Sequence, residues 1–180
     1  MFKETWSFAL ACNNISKCLK KDKIMRRKDR ELKEYKDITA ILDECEVLRL
    51  GLCLENKPYL VPMNFAYELI GSQFYFYLHS ALEGRKIDII KQNNNVCFEV
   101  DCAYKKIPAE QACEWTAKFK SVVGEGKIFI LDNDQDKKNA LDVFMKKHGF
   151  HKEEKSEYNL NSVLILKIVV EDISGKSNIK

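Results

Sequence analysis

Three consecutive strand-like segments joined by short turns constrain the fold of this chain more than any other feature. Residues 47–54 alternate, with a leucine at every second position from 48 onward. Residues 59–67 and 74–78 are rich in apolar and aromatic side chains, and 55–58 and 70–72 have turn composition. Because strands that follow one another through short turns usually pair, these segments predict an antiparallel meander.

The rest of the chain predicts more strands and a few helices. Asp37 is expected to cap the first helix, residues 104–113 to be irregular, and Gly124 and Gly126 to mark a bulge or bend. The final strand is apolar at nearly every position, so we expect it to be central in the sheet. The sequence therefore predicts an α+β chain, mainly β with helices, built on a small six-stranded barrel. The predicted helices cover 37–46, 82–93 and 134–148, and the later strands cover 96–103, 115–131 and 162–173.

The third strand runs directly into the second helix, and this junction is the strongest candidate for a site. Gly84, Arg85 and Lys86 lie at the start of the helix, where the unpaired N–H groups already carry a partial positive charge. Two cations at that point are unfavourable unless an anion binds there. The junction, with Ser80 before it, is therefore interpreted as a phosphate cradle.

Charge and hydropathy exclude several other classes. Residues 17–36 hold ten Lys/Arg against four Asp/Glu, an excess larger than the net charge of +3 of the whole chain. The basic character belongs to this segment, so nucleic-acid binding is not expected. No apolar run approaches the roughly 20 residues that span a bilayer, so no membrane partner is expected. Residues 1–24 are predicted to be a flexible N-terminal extension and 25–176 the folded domain.

The cysteines and histidines do not predict a metal site. Seven cysteines occur without a Cys-x-x-Cys pair, which is typical of free thiols in a reducing cytoplasm. His148 and His151 lie near a helix end without an obvious third ligand, and a role at the helix C-terminus is expected for them.

Three further features are candidates for ligand contact. The strand segment Val61-Pro62-Met63-Asn64-Phe65 contains a proline, which predicts an edge or bulge with exposed backbone groups. His79 lies at the carboxyl end of the strand that leads to the cradle, which makes it a candidate for ligand contact. Trp115, Phe119 and Ser121 alternate on one strand and are either core residues or a wall beside a flat ring.

Taken together, these motifs resemble the pyridoxamine 5′-phosphate oxidase-like flavoproteins, and within them the 5-nitroimidazole-resistance (Nim) branch. The resemblance covers roughly residues 25–176 and implies a homodimeric split β-barrel that binds FMN between two subunits. The motifs that carry it are Arg-Leu-Gly-Leu at 49–52, Pro-Tyr-Leu-Val-Pro-Met-Asn-Phe at 58–65, Tyr-x-His-Ser-Ala-x-Glu-Gly-Arg-Lys at 77–86, Cys-Phe-Glu-Val-Asp at 97–101 and Ser-Val-Val-Gly-Glu-Gly-Lys at 121–127.

The resemblance also implies a role for each candidate residue. It assigns the FMN phosphate to Gly84, Arg85 and Lys86, with His79 and Ser80 before them. It assigns the isoalloxazine ring to the backbone of Val61, Pro62, Met63, Asn64 and Phe65, with a later strand contact from Ser121. Pro62 replaces an arginine of the oxidases, and no C-terminal Arg-x-His is present, which argues against oxidation of pyridoxine phosphate.

The expected activity is a flavin-dependent reduction. NAD(P)H would reduce FMN, a small electron-poor aromatic such as a nitroimidazole or a quinone would accept the electrons, and His79 would be the catalytic proton or hydrogen-bond donor. The alternative is a flavin- or haem-binding carrier or sensor without turnover.

Overall fold

The computed structural model describes residues 25–150 and 158–179. These residues belong to two compact units, 25–31 and 32–179. The predicted extension, residues 1–24, and His151 lie outside the described residues. In the first unit, the Arg27 guanidinium donates two hydrogen bonds of 2.8 and 2.6 Å to the Asp29 carboxylate, which lower the pKa of Asp29 to about 2.

Seven strands and three α-helices make up the regular structure of the described residues. Short 3-10 turns at Lys28–Arg30 and Ala112–Glu114 complete it. The strands are β1 (Glu31–Leu32), β2 (Val47–Leu54), β3 (Lys57–Ile70), β4 (Gln73–Ser80), β5 (Asn95–Ile107), β6 (Thr116–Ile130) and β7 (Leu164–Ser177). The helices are α1 (Tyr35–Glu44), α2 (Arg85–Gln92) and α3 (Asp134–Lys147).

The six long strands, β2 to β7, close into an antiparallel barrel. Their order is β7-β4-β3-β2-β5-β6, and β6 pairs again with β7. The predicted meander of β2, β3 and β4 is confirmed by their antiparallel ladders. The predicted central position of the last strand is also confirmed, because β7 pairs with both β4 and β6.

The interior of the barrel is filled by the inward side of each strand. Phe65, Phe76 and Phe98 are fully buried, and the rings of Phe76 and Phe98 lie 4.6 Å apart. Leu48 and Leu50 of β2 are also inaccessible, as their alternation predicts. Burial of each large apolar side chain contributes about 1.5–3 kcal/mol, so this interior is the main source of stability.

Helix α3 packs against the outer side of β3 and β4, and its half-buried Lys147 reaches the end of α1. The Lys147 ammonium donates a 2.7 Å hydrogen bond to the Leu42 carbonyl near the end of α1. It also lies 4.8 Å from the centre of the Phe65 ring. Burial lowers the pKa of Lys147, while the nearby Asp43 carboxylate acts in the opposite direction.

The two glycines of β6 form the predicted bend. The β6–β7 register shifts between Glu125 and Gly126. A Cβ at Gly124 would collide with the Phe98 ring, and a Cβ at Gly126 with the Val169 carbonyl. Only glycine allows the strands to approach this closely at the bend.

Three local predictions were wrong. Asp37 does not cap α1, because the helix begins at Tyr35 and Asp37 lies in its first turn, where a carboxylate still favours the positive helix end. Helix α2 begins at Arg85, three residues later than predicted. Residues 104–107 are not irregular but continue β5 past a bulge between Cys102 and Lys105, and the strand ends at Ile107, just before Pro108.

None of the described helices has the length and apolar composition needed to span a membrane.

Candidate cofactor-binding site

The strand-to-helix junction has the form that the sequence predicts. Strand β4 ends at Ser80, residues 81–84 follow, and α2 begins at Arg85. Gly84 has φ +125° and ψ 166°, a conformation that side chains other than glycine rarely adopt. Its carbonyl accepts hydrogen bonds from the N–H groups of Ile87 and Asp88, and no side chain among the described residues caps the helix. The first N–H groups of α2 are therefore available to an anion.

Ser80 is the residue whose environment most clearly calls for a ligand. Its side chain is only 4% exposed, and its hydroxyl has no hydrogen-bond partner among the described residues. A buried hydroxyl without a partner costs about 1–3 kcal/mol. An incoming oxygen at the junction would relieve that cost.

Two cations at the start of α2 also lack a counter-charge. Within the described parts of the chain, no carboxylate forms an ion pair with Arg85 or Lys86. The Arg85 guanidinium instead lies 4.6 Å from the centre of the Tyr59 ring. An unpaired guanidinium and ammonium at a helix N-terminus favour the binding of an anion such as phosphate.

Residues 61–65 lie where β3 extends past β4. The β3–β4 ladder begins at the pair Phe65–Leu78, whereas the β2–β3 ladder continues to Lys57. Within the described chain, Val61 to Asn64 therefore pair with β2 only, so the edge that Pro62 predicts is confirmed. Met63 and Phe65 point into the core, and Pro62 and Asn64 are exposed.

His79 lies on the opposite face of β4 from Ser80. It is exposed, pairs with Ile165 of β7, and meets the Phe144 ring edge-on at 4.9 Å and 85°. The β3–β4 ladder ends at the pair Phe65–Leu78, so Asn64 and His79 are the first residues beyond it on the two strands. The Asn64 side chain donates a 3.3 Å hydrogen bond to the Glu46 carbonyl.

Ser121 is not brought to the cradle by a single chain. It lies half-buried on β6, where it pairs with Asp101 of β5 and Lys176 of β7. Three strand spacings, about 14 Å, separate β6 from β3. Of its predicted companions, Trp115 lies before β6 and donates to the Ala109 carbonyl, so only Phe119 and Ser121 belong to the alternating set.

A cleft on the outer face was not predicted from the sequence. It has a volume of about 560 Å³ and reaches from Tyr59, the residue under Arg85, to Glu125. Gly51 forms its floor, because a Cβ there would lie only 2.5 Å from the Cys97 sulfur. A glycine inside an alternating leucine strand is the signal that could have revealed it.

Comparison with known proteins gives one family and several similar structures. Residues 34–177 match the pyridoxamine 5′-phosphate oxidase family. A candidate 5-nitroimidazole antibiotic resistance protein from Bacteroides thetaiotaomicron is 30% identical over 82% of this chain and 86% of that one, with a TM-score of 0.69. This likeness agrees with the predicted Nim branch. No curated protein matched the chain.

Two further structures share the fold at low identity. The flavocytochrome Anf3 from Azotobacter vinelandii is 16% identical over 87% of this chain and 73% of that one, with a TM-score of 0.71. The FAD and heme binding protein from Mycobacterium smegmatis is 14% identical over 82% and 73%, with a TM-score of 0.68. The family match covers most of the barrel, and the chain therefore belongs to the pyridoxamine 5′-phosphate oxidase family and has its split-barrel fold.

Proposed function

We propose that this protein binds FMN, with the phosphate held at the start of α2. The observation that carries the proposal is the buried Ser80 hydroxyl, which has no partner among the described residues and lies five residues before the first residue of α2. The helix has no side-chain cap in the described part of the chain, and its two cations have no ion pair there. A phosphate group accepts hydrogen bonds on three oxygens, so the hydroxyl, the Arg85 and Lys86 side chains and the backbone at Gly84 fit it.

The ring system would lie along the unpaired side of β3. The backbone groups of Val61 to Asn64 that face away from β2 have no strand partner among the described residues. A heteroaromatic ring with alternating donors and acceptors at its edge suits such a row of N–H and C=O groups. Asn64 and His79, the first residues beyond the last β3–β4 pair, would contact the same ligand.

A homodimer would complete the site. Ser121 is three strands away from β3 within one chain, so a second copy has to supply it if it contacts the same ring. The outer face between these positions exposes apolar side chains at Val47, Val123 and Leu60, the last of them 63% exposed. An exposed apolar surface of this kind would be buried against an equivalent one in a symmetric dimer, and its exposure in the single chain supports the proposal.

When bound, FMN would supply the redox chemistry that moves electrons from NAD(P)H to a small electron-poor aromatic, such as a nitroimidazole or a quinone. The protein contributes the imidazole of His79, which is exposed on the face that we assign to the acceptor. Phe144 restricts the orientation of that ring by its edge-on contact. His79 is thus the one side chain that we assign to proton or hydrogen-bond donation.

The cysteines support a reducing compartment. Cys45, Cys53, Cys97, Cys102 and Cys113 are free thiols among the described residues. We place the protein in the cytoplasm on this ground.

The test begins with FMN uptake by the purified chain, measured by absorbance and by fluorescence quenching. Uptake followed by consumption of NADPH or NADH with a nitroaromatic acceptor supports the reductase. Uptake without turnover would favour the carrier alternative, and no uptake would refute the proposal. At saturating FMN, His79→Gln should reduce turnover about 10²-fold. The matched control is His148→Gln, because the His148 ring also contacts Phe144. This variant should change turnover less than twofold.

A further inference from the structure

Beyond the cradle, the outer face carries a second group of residues, which we call the Tyr104 patch: Tyr104, Lys106, Phe119 and Lys176. On the β5–β6 ladder, Lys106 pairs with Ala117, which shares a strand face with Phe119 and Ser121. Lys176 of β7 pairs with Ser121. The patch is therefore contiguous with Ser121.

A bulge turns Tyr104 outward. The register of β5 against β6 shifts between Cys102 and Lys105, and Ala103 within it has φ +58°. The left-handed region costs a residue other than glycine about 1–2 kcal/mol, and bulges are common beside binding sites, where they redirect a side chain. The side chain redirected here is an aromatic ring that is 64% exposed.

The two lysines of the patch have no acidic partner. Among the described residues, no carboxylate forms an ion pair with Lys106 or Lys176. The carboxylates in the neighbouring rows of this face, Glu99 and Asp101, are already bonded to Arg49 at 2.9 and 2.5 Å. On a second copy of the same face these two carboxylates would already be bonded to Arg49, so an anionic small ligand is the better occupant.

The spacing of the charges indicates the shape of that ligand. The ladder partners of Lys106 and Lys176 are four residues apart on β6, about 13 Å at the rise of a strand. Phe119 lies between these partners, and the Lys176 ammonium is 5.5 Å from the centre of its ring. The patch thus presents cation, aromatic surface and cation in sequence.

We propose that the Tyr104 patch binds the adenosine end of a nucleotide that carries phosphate on both sides of the ribose, as NADPH does. The adenine would stack on the exposed Tyr104 ring, and the 2′-phosphate and the diphosphate would each meet one lysine. This rests on the proposed function for its role, since it places the electron donor beside Ser121. It predicts a preference for NADPH over NADH.

The test uses the full chain and two probes, 2′,5′-ADP and ADP, titrated by calorimetry. The unmodified chain should bind 2′,5′-ADP at least fivefold more tightly than ADP. Lys106→Gln and Lys176→Gln should each weaken 2′,5′-ADP binding five- to tenfold, and Tyr104→Leu should weaken both probes. The matched control is Lys105→Gln, next in sequence but on the other face, which should stay within twofold.

Several results would overturn this inference: no binding of 2′,5′-ADP at millimolar concentration, equal affinity for the two probes, an equal effect of Lys105→Gln, or variants that change the oligomeric mass but not nucleotide binding. Melting temperatures show that each variant is folded. FMN uptake, measured on the same samples, separates the two proposals. Uptake without 2′,5′-ADP binding refutes only this inference, and 2′,5′-ADP binding without uptake refutes only the proposed FMN site.

Discussion

Polar groups on the two sides of β4 differ in whether they have a hydrogen-bond partner among the described residues. Under α3, the Tyr77 hydroxyl donates to Glu68 at 2.8 Å, and the Lys147 ammonium donates to the Leu42 carbonyl at 2.7 Å. At the cradle, the Ser80 hydroxyl is buried without a partner among the described residues. Because an unpaired buried group destabilises the fold, the first arrangement is expected of a structural region and the second of a site completed by a ligand.

The largest effect should come from removing the cations of the cradle. Each charge-assisted hydrogen bond contributes about 1.5–3 kcal/mol, so Arg85→Ala with Lys86→Ala should weaken FMN binding about 10²- to 10⁴-fold. The free energy of unfolding of the FMN-free chain should stay within about 1 kcal/mol of its original value, because neither side chain has an ion pair among the described residues and only the contact of Arg85 with the Tyr59 ring is lost. Fluorescence titration and urea denaturation measure the two quantities.

Lys91→Ala is the matched control, since Lys91 is an exposed lysine in the last turn of the same helix. It should leave FMN affinity within twofold. An FMN affinity unchanged by the double substitution would remove the cradle from the site.

The candidate site at the start of α2 could be proposed from the sequence because it breaks a local rule. Arg85 and Lys86 at the positive end of a helix conflict with the helix dipole, and that conflict is visible in the sequence. The position of Ser121 could not be predicted from the sequence, because it depends on the order of strands in the closed barrel. The cleft over Gly51 was also missed, since it forms only where Cys97 of β5 comes beside β2.

The second-largest effect should come from a substitution on the side of β4 that packs against α3. Lys147→Met keeps most of the side-chain volume but leaves the Leu42 carbonyl without its donor, so we expect a loss of about 1–3 kcal/mol in the free energy of unfolding. FMN affinity should not change. Lys146→Met is the control, because Lys146 is exposed and adjacent. Equal stabilities of the two variants in urea denaturation would contradict the structural role of Lys147.

The role of Lys147 could not be predicted from the sequence. A pair of lysines at the end of a polar helix is typical of a solvated C-terminus, which describes Lys146 but not Lys147. The difference arises from the closure of the barrel, which brings the end of α1 and the Phe65 ring beneath α3. The strands themselves were predicted more accurately, since alternation of apolar residues is a local signal.

Two hydroxyl deletions compare the two sides of β4 directly. Ser80→Ala removes a group that has no partner in the described part of the chain, so the FMN-free chain should keep its stability or gain up to about 1 kcal/mol. The same change should weaken FMN binding about three- to tenfold. Tyr77→Phe removes a hydroxyl that is bonded to Glu68, so it should lower stability by about 0.5–1.5 kcal/mol and leave FMN affinity unchanged.

Calorimetric unfolding of both variants, without FMN, measures whether each substitution raises or lowers the free energy of unfolding. A loss of stability in Ser80→Ala would show that its hydroxyl has a structural partner, and the contrast between the two sides would then fail.

The smallest effect is a difference in alkaline stability. Burial, together with the hydrogen bond to the Glu68 carboxylate, raises the pKa of Tyr77 well above its usual value. The folded chain therefore holds this proton more tightly than the unfolded chain, in which the tyrosine pKa is about 10. The resulting stability is fully present below that pH and is lost as the pH rises through the folded pKa. Melting temperatures measured from pH 9 to 11.5 should fall less steeply in Tyr77→Phe than in the unmodified chain. Ser80→Ala should follow the unmodified chain, because it removes no titrating group, and parallel curves for all three proteins would contradict the assignment to Tyr77.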